Sequence, residues 1–296
     1  MLKQQIHKII QDNPDYASVT PVIEKEILHH DIMDVLIKQG IMQRLTFIGG
    51  TSLRMCYNSA RLSEDLDFNG GNDFKPNEFD GLETEIQKYI QNKYETEVWV
   101  NKPSGEKQGD TVSWKISIIK EANRPDLPRQ KMHIDVCAIP SFDIENRPLL
   151  NHYNIVVPTE GILVPVQSLQ EALADKLIAL AYRARRIKPR DIWDIIWIKQ
   201  RGIRLSKELV EMKLTARNKQ PDDFRQALTI QLDKLMFKDE VRDDFNLEIS
   251  RFIPKQIKER TVDNPQYWRY VQTEVREIAS VFLNDEAPKN KFDMGL

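Results

Sequence analysis

The sequence predicts a mixed α/β sheet flanked by helices, followed by a helical C-terminal region. Two observations carry this. Short apolar or alternating segments, each bounded by turn residues, recur up to about residue 160. Beyond about residue 167 helical periodicity runs to the end of the chain. With 296 residues the chain is long enough for two domains, and the pattern divides it into an α/β domain over 1–160 and a helical domain over 161–296.

The first element expected is a helix from Pro21 to Gln39, with Thr20 as cap, Pro21 in its first turn and Gly40 at its exit. LTFI (45–48) is a short apolar strand closed by Gly49 and Gly50. SLRMCYN starts a helix capped by Thr51 or Ser52, and DLDF (65–68) reads as the next strand. GGNDFKPN (70–77) is a loop, and the segment from Phe79 to Tyr94 has a helical period. ETEVWVN (95–101) is a third strand. TVSWKISII (111–119) alternates, placing Val112, Trp114, Ile116 and Ile118 on one face. KMHIDVCAI (131–139) puts Met132, Ile134, Val136 and Ala138 on one side and His133, Asp135 and Cys137 on the other. EANRPDLPRQ between them reads as a hairpin loop. NIVVP and GILVPV are expected as short edge strands, because their prolines disfavour central positions. Helices are then expected over 168–186, 190–200, 206–217, 221–237 and 264–284.

Composition narrows the function classes. The formal charge is -2, from 43 basic and 45 acidic side chains, so attraction to an anion must come from a local patch. Cys56 and Cys137 belong to no CxxC pair or Cys/His cluster, which argues against structural zinc and fits a reducing cytoplasm. MLKQQIHKIIQDN lacks the apolar core of a signal peptide. No apolar run approaches the roughly 20 residues of a membrane span. The expectation is a soluble cytoplasmic protein without a membrane partner.

The chemistry concentrates in GGTSLRMCYNSARLSEDLDF, residues 49–68. A strand, two glycines and then a hydroxyl residue opening a helix let backbone N–H groups approach an anion. Taken alone, the same turn also reads as a tight connection that needs glycine for its backbone angles. Asp65 and Asp67 share one face of their strand, leaving Leu66 and Phe68 for the core. Two carboxylates that close raise each other's pKa or hold a cation, and oxygen ligands with open positions suit Mg²⁺ together with substrate phosphates. Asp135 lies on the polar face of its own strand. Paired beside 65–68, it would complete three carboxylates around two metals, the arrangement that clamps both oxygens of a phosphoryl transfer.

In SLQEALADKLIALAYRAR, Ser168 and Glu171 form a capping-box pattern, and Leu169, Leu173, Leu177 and Leu180 make an apolar stripe. Lys176 falls on that stripe, where an ammonium must either snorkel out or meet an anion. Arg183, Arg185, Arg186, Lys188 and Arg190 follow as a basic cluster fit for a triphosphate or an RNA backbone, or for a solvated helix end. Asp191 and Asp194 stand at the next helix start, and Trp193 and Trp197 read as core.

As a set, these residues resemble the polymerase-β-type nucleotidyltransferases, and most closely the AbiEii/AbiGii toxin family of bacterial abortive-infection and toxin–antitoxin systems. The matching positions are Gly49-Gly50-Thr51-Ser52, Ser63-x-Asp65-x-Asp67, Lys115, Lys176, and Arg190-Asp191-x-x-Asp194, spread in order over residues 45 to 200. The resemblance implies Mg²⁺ held by Asp65 and Asp67, and an NTP whose phosphates meet the glycine turn, Ser63, Lys115 and Arg190. It implies that the helical domain contributes Lys176 for triphosphate contact and Asp191 to position that lysine or take the nucleophile's proton. Asp135 is a further catalytic candidate. The implied reaction transfers NMP from an NTP to an acceptor hydroxyl, with the tRNA 3′ end as acceptor and a cognate antitoxin as opponent. A protein or small-molecule acceptor, and a non-catalytic nucleotide-binding toxin, are the two other readings compatible with these residues.

Overall fold

The computed structural model describes residues 1–103, 111–119 and 128–283. Most of the expected loop between the two alternating strands, EANRPDLPRQ, lies outside them. The chain opens with a helix the sequence reading did not anticipate, α1 (Leu2–Asp12), whose Ile6 and Ile9 are buried. A 3₁₀ turn (Pro14–Val19) leads into α2 (Thr20–Lys38). Thr20 is the first helical residue rather than the cap, and its hydroxyl donates back to the Ala17 carbonyl at 2.9 Å. Gly40, at φ 72°, ends the helix where a side chain would be strained.

The strand β1 (Thr46–Ile48) runs into α3 (Gly49–Tyr57), and β2 (Leu66–Asn69) returns antiparallel to β1. Neither Thr51 nor Ser52 caps α3, because the helix already begins at Gly49. After α4 (Leu82–Tyr94) come β3 (Val98–Asn101), β4 (Thr111–Ile118), β5 (Gln130–Cys137), β6 (Ile144–Pro148) and β7 (Leu163–Gln167). The seven strands form one mixed sheet in the order β3-β4-β5-β2-β1-β7-β6. The β2–β5 and β1–β7 pairs are parallel and the others antiparallel.

The edge-strand expectation is corrected here. GILVPV supplies β7, which lies inside the sheet between β1 and β6, whereas NIVVP forms no strand. Pro165 is tolerated because β7 meets β1 through a single register pair, Phe47 with Val166. IENRP forms the edge beside β7, and β3 forms the opposite edge. The division drawn at residue 160 falls before β7, so the sheet extends to Gln167.

Period-two alternation divides the sheet's chemistry. Val112, Trp114, Ile116, Ile118, Met132, Ile134, Val136, Leu66 and Phe68 are buried on one face. Ser113, Lys115, His133, Asp135 and Asp67 occupy the other face, with Asp67 paired to Asp135 and Ser113 to Asp135 in register.

Helices α5 (Leu169–Tyr182), α6 (Pro189–Lys199), α7 (Lys207–Ala216), α8 (Pro221–Phe237), α9 (Asp239–Ile249), α10 (Lys255–Arg260) and α11 (Tyr267–Leu283) follow. The segments α9 and α10 are additions to the expected set. Only half of the expected capping box at α5 forms. Ser168 accepts from the Glu171 N–H at 3.1 Å, but Glu171 itself accepts from the Phe142 and Asp143 N–H groups. Trp193 and Trp197 are core, as expected. No described helix is long and apolar enough to cross a membrane.

Candidate active site

The glycine turn and the carboxylates meet at one point. Gly49 has φ 78°, and a Cβ there would lie 2.4 Å from Asp67 Oδ2, so only glycine permits the approach. At Gly50 a Cβ would lie 2.3 Å from Arg61 Nη2 and 3.0 Å from Ser63 Oγ. Thr51 donates its hydroxyl to the Asp65 carbonyl, and Ser52 donates to the Gly49 carbonyl at 2.9 Å. Both side chains are buried, Thr51 tying the turn to the β2 entrance and Ser52 closing on its own helix start, and Gly50 and Ser63 line a cavity of about 210 Å³. Asp65, Asp67, Asp135, Arg61, Lys176, Arg183, Lys188, Arg190 and Asp191 complete its wall.

Register explains why three carboxylates converge here. The parallel pairing of β2 with β5 sets Asp67 beside Asp135, and Ser113 on β4 donates to Asp135. Asp65 Oδ1 accepts from the His133 N–H at 2.9 Å. Burial, then the Asp135 charge, pushes the Asp67 carboxyl up to about 7, against relief from Lys176. A cation would remove that penalty, and carboxylate oxygens with open positions match the preference of Mg²⁺. Among the described residues no group of three or more His, Cys, Asp or Glu is placed to hold a metal ion. Asp65, Asp67 and Asp135 nonetheless line one cavity, so the sheet brings together the three carboxylates the sequence singles out.

Opposite the sheet, α5 and α6 contribute alternating charges. Lys176 Nζ lies 2.7 Å from Asp194 and 3.2 Å from Asp191. Arg183 grips Asp191 through Nε and Nη2 at 3.0 and 2.7 Å. Arg61 grips Asp194 through Nε and Nη2, both at 2.9 Å. Burial alone would raise the Asp191 and Asp194 carboxyls, but Lys176 with Arg183, and Arg61 with Lys176, hold both below the usual range. The same pairs hold the Lys176 ammonium above its ordinary value despite burial. Lys176 thus resolves its position on the apolar stripe by ion pairing, not by snorkelling.

Arg190 lines the cavity while bonded to Glu248 at 3.1 Å and lying 3.6 Å from Glu64. Lys115 shares the polar sheet face but is exposed and outside the cavity wall. One participant escaped sequence reasoning, and so did the partner of another. Arg61 sits in an irregular return with no periodicity around it, and Asp194, though part of the recognised spacing, showed no partner. Their pairing joins residues 133 positions apart, so nothing local announces it.

The family model described as nucleotidyl transferase AbiEii toxin, type IV toxin–antitoxin system, matches residues 31–273, which include all of these side chains. The chain belongs to the AbiEii family of nucleotidyltransferase toxins. AbiEii membership agrees with the fold. MenT4, a nucleotidyltransferase toxin from Mycobacterium tuberculosis, superposes with TM-score 0.53 at 20% identity, covering 97% of this chain and 91% of its own. JHP933 from Helicobacter pylori aligns with TM-score 0.48 at 14% identity, covering 89% of this chain and 92% of its own. No curated protein matches the chain. The protein is thus a nucleotidyltransferase of toxin type, with a mixed seven-stranded sheet followed by helices.

Proposed function

We propose that this AbiEii nucleotidyltransferase transfers NMP from an NTP to the 3′-terminal hydroxyl of tRNA, blocking translation and growth until a cognate antitoxin opposes it. One observation supports this reading: Gly49 abuts Asp67, and Gly50, Ser63, Asp65 and Asp67 line the same cavity. Asp65 and Asp67 would hold Mg²⁺, which supplies charge neutralisation on the transferring phosphoryl group. The α-phosphorus accepts the attacking hydroxyl oxygen, and pyrophosphate leaves. Free N–H groups at the start of α3, with Ser63, orient the phosphates. Lys176, fixed by Asp191 and Asp194, donates to the triphosphate.

Both oxygens of Asp191 are engaged by cations, so Asp191 is assigned to positioning Lys176 rather than to proton abstraction. Asp135, beside Asp67 and bonded to Ser113, is better placed to take the hydroxyl proton. The acceptor backbone would meet the basic segment at Arg185, which is exposed and makes no ion pair among the described residues. A transfer assay with each of four labelled NTPs, Mg²⁺ and total tRNA tests the reading. Label is expected on tRNA with the parent protein and is expected to vanish with Asp65→Ala or Lys176→Ala. Label on protein or on a small product would replace the acceptor, and full activity of both variants would remove the catalytic assignment.

A further inference from the structure

The cavity wall carries five cations, Arg61, Lys176, Arg183, Lys188 and Arg190. Four of them are already compensated by carboxylates. Arg61 is bound to Asp194, Lys176 to Asp194 and Asp191, Arg183 to Asp191, and Arg190 to Glu248. Lys188 differs, since among the described residues it makes no ion pair, and it is exposed at the cavity rim. Its backbone is fixed at the N-cap of α6, immediately before Pro189, so the side chain starts from a rigid point. Desolvation at the cavity wall, and then the neighbouring Arg183 charge, holds its ammonium below the ordinary lysine value despite the longer-range pull of Asp191 and Glu248, and an arriving anion would offset the Arg183 repulsion.

An anion that approaches a paired cation must compete with the carboxylate already there, whereas a cation outside any ion pair accepts it without breaking one. We propose that Lys188 binds the triphosphate of the incoming nucleotide and supplies positive charge that no ion pair already holds. The paired cations keep the cavity's shape, and Lys176 keeps its catalytic geometry. This assignment rests on the triphosphate site proposed above and adds to it a residue outside the recognised family spacing.

The test uses the full chain with Mg²⁺ and inorganic tripolyphosphate as the probe, followed by calorimetry. Lys188→Gln is expected to weaken binding about tenfold or more, in line with the loss of one charge-assisted hydrogen bond. Lys188→Arg is expected to restore most of it, because the position needs charge rather than a particular head group. In the labelled-NTP assay the glutamine variant should raise KM while kcat stays close to the parent value. Exposure of the residue keeps folding out of the comparison. If the parent binds tripolyphosphate and Lys188→Gln binds it equally well, the lysine assignment is wrong. If the glutamine variant loses affinity for total tRNA but not for tripolyphosphate, Lys188 belongs to the acceptor instead. Failure of the parent itself to bind tripolyphosphate would overturn the triphosphate site on which the assignment stands.

Discussion

Asp67 is the residue at which the cavity is electrostatically least satisfied. Its carboxyl titrates at about 7 rather than the ordinary 3.8, because it is buried beside Asp135. Between those values the unfolded chain releases this proton first, so metal-free stability falls as pH rises from about 4 to about 7. Asp67→Asn removes that penalty. In chelator, urea unfolding should show the variant more stable than the parent by on the order of 1 kcal/mol at about pH 8, with the difference closing toward about pH 4. A variant less stable than the parent at the higher pH would contradict the burial and repulsion assigned to Asp67. The proximity of Asp65 and Asp67 was legible in the sequence, because period two places them on one face. The cause of the shift was legible only in part, since it required knowing that β5 pairs beside β2 in the register that brings up Asp135.

Among the elements, the return between α3 and β2 is joined to α5 and α6 by buried charge. Arg61 and Asp194 are 2% and 0% exposed, so neither can turn to water if its partner is lost. Arg61→Met should therefore cost about 3–5 kcal/mol in urea unfolding, and adding Asp194→Leu should recover part of it by removing a buried carboxylate left with Lys176 alone. A single-variant cost below about 1 kcal/mol would show that the pair does not hold these elements together. Helix α5 shows where sequence reading stops. Its stripe and its Ser168 cap were visible locally, and Lys176 stood out as a cation on an apolar face. Its two carboxylate partners lie on the next helix, and the choice between snorkelling and pairing depended on how α6 packs. The loop arginine gave even less, having no periodicity to mark it, and its partner is not the nearby Glu64 or Asp65 but the distant Asp194.

For the whole molecule, one sheet serves two purposes. Its apolar face packs the core, and its polar face carries Asp67 and Asp135 to the underside of α5 and α6. That division, and the order of strands before helices, could be read from alternation in β4 and β5 and from the change in period after Gln167. The N-terminal helix α1 and the strand β6 could not. The first has a short apolar stripe of Ile6 and Ile9, and the second contains Glu145, Asn146, Arg147 and Pro148, a composition that only an edge position accommodates. The AbiEii assignment fixes the class of chemistry, and the cavity fixes where it is proposed to occur. A crystal structure with Mg²⁺ and a non-hydrolysable NTP analogue tests that placement most directly. The triphosphate is expected between the Gly49–Gly50 turn and Lys188, with Mg²⁺ on Asp65 and Asp67. A triphosphate bound elsewhere, with the Asp65 and Asp67 carboxylates free of metal, would contradict it.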